Sequence, residues 1–170
     1  KICVALCTYN GERFLFEQLN SIKAQSRWPD ELVICDDASN DQTVSMARRF
    51  AASAPFSVRV VVNQSTMGSG RNFGQAISLC EGKDAIIVLA DQDDVWTVNK
   101  LEIIEDQFIR HPDTSVLFSD AEIVDQDLQS LGYRLWDSIN FSSSERRAVE
   151  DGRGMRVLLR HNVVTGATMA

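Results

Sequence analysis

Short apolar runs alternate with amphipathic helical segments over much of the chain, and this alternation constrains the fold more than any other feature. The apolar runs have the length and composition of buried strands, and they lie at residues 2–6, 32–35, 58–62 and 85–90. Helical spacing follows each run, at residues 13–28, 43–52, 73–80 and around Leu101, Ile104 and Phe108. Four such alternations with short connections predict an α/β fold, Rossmann-like, with a mostly parallel sheet and helices on both faces.

Sequence signals for secondary structure are clear at the start of the second predicted helix and weaker after Pro112. Ser39 and Gln42 have the spacing of a capping box before the second predicted helix. Residues 115–119 are predicted to form a strand that residues 123–125 could continue, and residues 127–132 a turn. The polar, serine-rich stretch at residues 138–145 is predicted to be a mobile loop.

Charge and composition narrow the classes of function and of cellular location. The chain has 170 residues and a formal net charge of −7, and no stretch is rich in Lys or Arg, which argues against binding along a nucleic-acid backbone. No apolar run approaches the roughly 18 residues of a membrane span, and the first residues lack the pattern of a signal peptide. Cys3, Cys7, Cys35 and Cys80 lie in or beside apolar stretches without zinc-site spacing. We therefore expect reduced, buried thiols and a cytoplasmic location.

Polar side chains follow three of the four predicted strands at the point where each strand ends. These polar clusters lie at residues 8–10, 36–39 and 91–94. In open parallel sheets, ligands bind outside the carboxyl ends of the strands. The sequence therefore predicts that the three clusters meet at one edge of the sheet and form a binding site there.

Three carboxylates crowd into four residues directly after the fourth predicted strand. Asp91, Asp93 and Asp94 carry like charges that repel one another, so their surroundings have to stabilise them. A divalent cation with oxygen ligands, Mn²⁺ or Mg²⁺, is the simplest candidate. The alternative is a solvated acidic turn without a ligand.

Five motifs along the chain resemble those of the family 2 glycosyltransferases of GT-A fold and occur in the family's order. The acidic stretch L-A-D-Q-D-D-V-W at residues 89–96 is similar to the D-x-D motif, and its D-Q-D-D-V-W form resembles the rhamnosyltransferase-type branch. The other matching segments are C-T-Y-N-G-E at residues 7–12, D-D-A-S-N-D at residues 36–41, the stretch from Asn63 through Gly68 to R-N-F at residues 71–73, and V-T-G at residues 164–166. The resemblance spans nearly the whole chain.

The resemblance implies roles for individual residues. Asp91 and Asp93 would hold the metal with Asp94 beside it, and the metal would bridge the two phosphates of a nucleotide diphosphate-sugar. Tyr9 would offer its ring to the base, and Asp37, with Asp36 as the alternate, would accept a hydrogen bond from the base. The full set implied for nucleotide-sugar binding is Thr8, Tyr9, Asn10, Glu12, Asp36, Asp37, Gly68, Arg71, Asp91 and Gln92.

Structural alternatives exist for several of these residues. Tyr9 could pack against the first helix, and Asp36 and Asp37 could occupy a helix N-terminus that favours negative charge. Gly68 and Arg71 fit a loop where a guanidinium faces phosphate or base, but the glycine spacing is that of neither a P-loop nor a dinucleotide fingerprint. We interpret Trp96 as a hydrophobic anchor under the acidic loop.

The implied activity is transfer of a sugar from a UDP- or dTDP-linked donor to a saccharide or lipid-linked acceptor, with inversion, in bacterial surface polysaccharide synthesis. Residues 1–111 would be the nucleotide-sugar-binding half of a single GT-A domain, and residues 112–170 the start of a truncated acceptor-side half. The catalytic base is then expected beyond Ala170, and a lipid-linked acceptor would bring the full-length enzyme to the inner face of the membrane. The alternatives are a Mg²⁺-dependent phosphohydrolase, which would need a downstream Lys although none follows Lys100, and a non-catalytic nucleotide-sugar-binding module.

Overall fold

The computed structural model describes residues 1–82 and 84–170, which form two compact units. The first unit comprises residues 1–117 together with Ala170, and the second comprises residues 118–169. Within the described part of the chain, every helix is too short or too polar to cross a lipid bilayer.

The first unit is a four-stranded parallel sheet with a helix after each strand, which confirms the predicted alternation and the parallel sheet. The elements are β1 (Ile2–Thr8), α1 (Leu15–Lys23), β2 (Glu31–Asp36), α2 (Thr43–Ala51), β3 (Ser57–Val62), α3 (Ser69–Leu79), β4 (Ile86–Asp91) and α4 (Lys100–Arg110). The order of the strands in the sheet is β3-β2-β1-β4.

Helices cover both faces of the sheet, as the sequence predicts. The side chains of Ile2, Val4 and Leu6 on β1 are fully buried in a core that also contains residues of α1, α2 and α4. The intervening Cys3 points to the other face, where α3 packs against β1 and β2. Because β1 is central and covered on both faces, all seven of its residues are buried.

A disulfide joins Cys3 of β1 to Cys80, which follows α3, so the prediction of reduced thiols is wrong for these two residues. Their Cα atoms lie 5.9 Å apart although 77 positions separate them in sequence, and only the packing of α3 on this face brings them together. Cys7 and Cys35 are free and buried, as predicted. They pair in register on β1 and β2.

Two predicted helix boundaries of the first unit differ from the structure. The first helix ends at Lys23, and Trp28 lies outside it with 49% of its surface exposed. The third helix begins at Ser69 rather than at residue 73.

The predicted capping box at Ser39 is wrong. Its hydroxyl donates to Asp36 Oδ2 at 2.6 Å, while Asp41 Oδ1 accepts from the Thr43 amide at 2.9 Å at the start of α2. The loop before α2 is therefore bonded back to the end of β2.

The second unit contains a two-stranded antiparallel hairpin and several short helices. Its elements are β5 (Glu122–Val124), β6 (Ser130–Arg134), α5 (Leu135–Ser138), α6 (Ser143–Ala148), a π-helical turn (Val149–Arg153), α7 (Gly154–Leu158) and a 3-10 turn (Gly166–Thr168). Phe141, Val157 and Val163 form its buried core.

The predictions for the second unit hold only in part. The predicted strand at residues 115–119 is reduced to one bridge between Phe118 and Met169, and β6 begins inside the predicted turn. The predicted loop at residues 138–145 is wrong for residues 143–145, which lie in α6, because Ser142 and Glu145 form a reciprocal capping box that starts this helix.

Candidate functional site

The carboxyl ends of β1 and β2 are tied together by buried polar groups. Thr8 Oγ1 donates to Asp36 Oδ2 at 2.7 Å, and the Asp37 amide donates to the Thr8 carbonyl oxygen at 2.8 Å. Thr8 and Asp36 are 2% and 0% exposed. Both residues lie where the sequence predicts, and in this structure they hold the two strand ends together.

Further hydrogen bonds join the loop after β1 to the loop after β2. The Asn10 amide donates to Ser39 Oγ at 2.8 Å, and Asn10 Oδ1 accepts from the Asn40 amide at 3.0 Å. Asn10 has a φ of 47°, a left-handed conformation that asparagine tolerates better than most residues. Glu12 Oε2 accepts from the Gln42 amide at 2.9 Å. Asn10 and Glu12 thereby fix the relative position of the two loops.

Asp37 organises the loop that leads into α3. Its Oδ1 accepts from Asn63 Nδ2 and from the Met67 amide, both at 2.9 Å, and its Oδ2 accepts from the Gly68 amide at 2.8 Å. Desolvation would raise the pKa of this carboxyl, but the hydrogen bonds outweigh it and hold the pKa below its usual range. Gly68 has a φ of 87°, a conformation that favours glycine. Arg71 is exposed in the first turn of α3.

Gln92 connects the acidic loop to the loop after β1. Its Oε1 accepts from the Tyr9 amide at 2.8 Å, and its Nε2 donates to the Tyr9 carbonyl oxygen at 3.0 Å. Gly11 makes room for this contact, because a Cβ atom there would lie 2.2 Å from Gln92 Oε1. Tyr9 is 49% exposed at the ends of β1 and β4, the neighbouring strands where the sheet order reverses.

The acidic loop contains a buried oxygen atom without a hydrogen-bond partner, Asp94 Oδ2. Burial, together with the charges of Asp91 and Asp93, raises the pKa of Asp94 to about 6. Within residues 1–82 and 84–170, no three acidic, His or Cys side chains converge into a complete metal cluster. The donor chemistry nevertheless fits Mg²⁺ or Mn²⁺, since such ions often take one or two carboxylates and complete their coordination with water and substrate phosphates.

Lys100 is a cation of this region that the sequence analysis missed. Its Nζ lies 4.4 Å from the centroid of the Trp96 ring, and burial lowers its pKa to about 8 against the opposing attraction of Asp94. Trp96 is 6% exposed in the main core, which confirms its interpretation as an anchor. A Lys at the first position of a predicted helix, where the helix dipole disfavours a cation, is the sequence signal that could have identified Lys100.

Three buried polar residues were not predicted from sequence: Gln18 and Ser21 on α1, and Gln25 two residues past its end. All three are buried and bond to the segment that follows β4. Their signal is a set of polar residues at helical spacing among Leu15, Leu19 and Ile22, which face the core.

The chain belongs to the family described as glycosyl transferase family 2, whose model matches residues 3–162. An uncharacterised protein of Mycobacterium tuberculosis is 33% identical over 122 residues, 71% of this chain and 35% of that protein. A dTDP-rhamnosyl transferase of Shigella flexneri is 32% identical over 99 residues, 57% of this chain and 34% of that protein. The structure of TarS from S. aureus in complex with UDP-GlcNAc matches with a TM-score of 0.62 and 27% identity, covering 69% of this chain and 33% of that one.

These likenesses identify the fold as GT-A and the protein as a glycosyltransferase of family 2. The chain spans about a third of the length of these relatives.

Proposed function

We propose that the first unit binds a nucleotide diphosphate-sugar, UDP- or dTDP-linked, for metal-dependent transfer of the sugar to an acceptor. The observation that carries the proposal is the position of the acidic loop. It follows β4 at the carboxyl edge of the sheet, Gln92 ties it to Tyr9, and Asp94 Oδ2 is buried in it without a hydrogen-bond partner. A site of this kind combines a flat ring for a base with carboxylates for a cation.

The proposed roles follow the positions of the side chains. Tyr9, exposed at the strand ends, would stack on the base, and Arg71 would face the base or a phosphate. Thr8, Asn10, Glu12 and Asp36 are supporting residues in this proposal, because their polar atoms already bond between the two loops.

Asp37 is proposed to accept a hydrogen bond from the base. It would do so through a carboxylate lone pair that its bonds to Asn63, Met67 and Gly68 do not use. It would also keep Gly68 and the start of α3 near the nucleotide, because the amides of Met67 and Gly68 donate to its carboxylate.

Asp91 and Asp93 would hold Mn²⁺ or Mg²⁺, with Asp94 adjacent. When bound, the cation supplies Lewis-acid neutralisation of the charge that develops on the leaving diphosphate. The chain's own residues orient the donor: Gln92 fixes the Tyr9 backbone, and burial of Trp96 anchors the loop that carries the carboxylates. The loop is thus already supported at both ends before the donor arrives.

The donor and acceptor classes are proposed from the relatives. The Shigella enzyme is named for a dTDP-rhamnosyl donor and the S. aureus structure contains UDP-GlcNAc. We propose a UDP- or dTDP-linked sugar, a saccharide or lipid-linked acceptor of bacterial surface polysaccharide synthesis, and inversion at the anomeric carbon. The second unit would belong to the acceptor side, and the full-length protein would work in the cytoplasm, at the inner membrane face when the acceptor is lipid-linked.

Calorimetric titration of UDP and dTDP, with and without Mn²⁺, tests the proposal. We expect binding that requires Mn²⁺ and that Asp93→Asn weakens by at least about tenfold, because loss of one ligand from a hard-cation site removes a charge-assisted contact. Asp113→Asn, at an exposed position, is the matched control and should bind like the wild-type chain. If neither UDP nor dTDP binds, with or without Mn²⁺, the proposal of a donor site fails and only the likeness in fold remains. Transfer of radiolabelled sugar to an acceptor then separates an enzyme from a binding module.

A further inference from the structure

Three uncharged polar side chains, two on α1 and one just past its end, are buried beside the apolar residues of the core. Gln18 is 0% exposed, Gln25 is 3% exposed and Ser21 is 8% exposed. Burying an amide or hydroxyl is unfavourable unless it forms hydrogen bonds, so the partners of these groups show what they are used for. In each case a partner lies in the segment from Asp91 to Leu101.

The first two residues hold both flanks of the acidic cluster. Gln18 Nε2 donates to the backbone carbonyl oxygen of Asp91 at 3.0 Å. Ser21 Oγ lies 2.8 Å from Gln18 Oε1 and accepts from the Trp96 amide at 3.0 Å. The carboxylates of residues 91–94 thus lie between two points of attachment to α1.

Gln25 holds the remainder of the segment up to the start of α4. Its Nε2 donates to the Thr97 carbonyl oxygen at 2.8 Å, and its Oε1 accepts from the Leu101 amide at 3.0 Å. The Ser26 amide donates to the Val98 carbonyl oxygen at 2.8 Å. Every atom of the segment used in these contacts is a backbone atom, so none of the contacts occupies a carboxylate.

The same helix starts from the loop that carries Tyr9. The amides of Phe14 and Leu15 both donate to the Gly11 carbonyl oxygen at 3.0 Å. One rigid element therefore attaches to the loop proposed for the base and to the loop proposed for the cation.

We propose that Gln18, Ser21 and Gln25 are positioning residues that hold the acidic loop in the conformation that binds the cation and the diphosphate. The inference rests on the proposed function. Three mutually repelling carboxylates would otherwise push the loop apart, and fixing its backbone through α1 and Gln25 supplies the preorganisation that a cation site needs. Residues that orient the groups around a metal change its affinity by about 10–100-fold when removed.

The test is the affinity for Mn²⁺, measured from the electron paramagnetic resonance of the free ion, for the full chain and for Gln18→Met. Met has about the length and volume of Gln but lacks the amide that donates to the Asp91 carbonyl oxygen. We expect Mn²⁺ to bind about tenfold or more weakly, at a temperature where circular dichroism shows the variant folded. Ser21→Ala, which removes a single hydroxyl, gives a second reading if Gln18→Met does not fold, and Ser21→Thr should restore the affinity.

Two controls separate positioning from stability. Gln75→Met changes the same side chain on α3, away from the acidic loop, and should leave Mn²⁺ affinity unchanged. Val33→Ala removes buried methyl groups from β2 and should lower the melting temperature without changing that affinity.

Two results would overturn the inference. If Gln18→Met and Ser21→Ala lower the melting temperature like Val33→Ala but bind Mn²⁺ with wild-type affinity, the three residues only satisfy one another in the core. If the wild-type chain binds neither Mn²⁺ nor nucleotide, the proposed function fails as well, which distinguishes the two failures.

Discussion

The side-chain amide of Gln92 bonds to both backbone polar groups of Tyr9, accepting from its N–H at 2.8 Å and donating to its carbonyl oxygen at 3.0 Å. The residues are 83 positions apart in sequence, and their contact spans the strand ends of β1 and β4. The position of an exposed aromatic ring is thereby coupled to the conformation of the acidic loop. The proposed base and cation sites are joined by this pair.

Gly11→Ala is expected to break that contact. A Cβ atom at residue 11 would lie 2.2 Å from Gln92 Oε1, and because this atom ends a flexible side chain, the amide would move away and lose both hydrogen bonds. The loss should lower the free energy of unfolding by about 1–3 kcal/mol and weaken UDP binding about tenfold. Chemical denaturation and calorimetry measure the two effects.

Gly74→Ala is the matched control for this substitution. A Cβ atom at residue 74, in the interior of α3, meets no atom within 4 Å. We expect it to raise the free energy of unfolding by about 0.5–1 kcal/mol without changing UDP affinity. If Gly11→Ala and Gly74→Ala changed the free energy of unfolding and the UDP affinity equally, the role given to Gly11 would be contradicted.

Gln92→Met distinguishes positioning of Tyr9 from direct contact with the sugar. If Gln92 acts through Tyr9, the variant should bind UDP and UDP-glucose more weakly by the same factor, about tenfold for two lost hydrogen bonds. Gln107→Met, in α4, should change neither affinity. A loss confined to the sugar-bearing ligand would instead support a direct contact between Gln92 and the donor sugar.

Asp37 is expected to contribute to unfolding in acid. Hydrogen bonds hold the pKa of its carboxyl below the ordinary value of 3.8, so the folded state binds fewer protons than the unfolded state in this range. Its stabilisation is therefore fully present above about pH 4 and is lost as the pH falls through the depressed pKa. Asp37→Asn should lower the free energy of unfolding at pH 7 by about 1–3 kcal/mol and reduce its decline in acid. Urea denaturation at a series of pH values measures both, and an unchanged acid limb would exclude Asp37 as a contributor.

The bond between Cys3 and Cys80 is expected to stabilise the first unit. Closing a loop across 77 positions restricts the unfolded chain, so Cys80→Ala should lower the free energy of unfolding by about 2–4 kcal/mol. Dithiothreitol should destabilise the wild-type chain and leave Cys80→Ala unaffected. Cys35→Ala, which removes a free buried thiol, should remain sensitive to dithiothreitol. Labelling of four thiols in the untreated, denatured wild-type chain would show that the bond is absent.

The parallel sheet and the placement of polar residues at its carboxyl edge could be predicted from sequence because both depend on local patterns. Apolar runs give the strands, and polar residues directly after them give the edge where ligands bind. Trp96 could be interpreted as an anchor because tryptophan side chains are highly buried on average. The end of α1 is predicted too late, because residues at helical spacing continue to Trp28 whereas the helical backbone ends at Lys23.

The hydrogen-bond partners in the site were not accessible, because they join residues far apart in the chain. Asn10 bonds to Ser39 and Asn40, and Gln92 bonds to Tyr9, only after the register of the parallel strands brings their loops together. The bond between Cys3 and Cys80 could not be predicted for the same reason, because 77 positions separate the two residues in sequence. Residue types at strand ends therefore predict a site, but not which of its polar groups are already used by the protein.

The most direct test of the account is a chemical-shift map of the isotope-labelled chain titrated with UDP in the presence of Mg²⁺. We predict that the largest amide shifts cluster at residues 8–12, 37–43 and 91–96. The chain also has a groove of about 350 Å³ between α1 and α2, lined by Phe16, Met46 and Phe50 among others. Shifts concentrated in that groove, or anywhere else away from the carboxyl edge of the sheet, would contradict the proposed donor site.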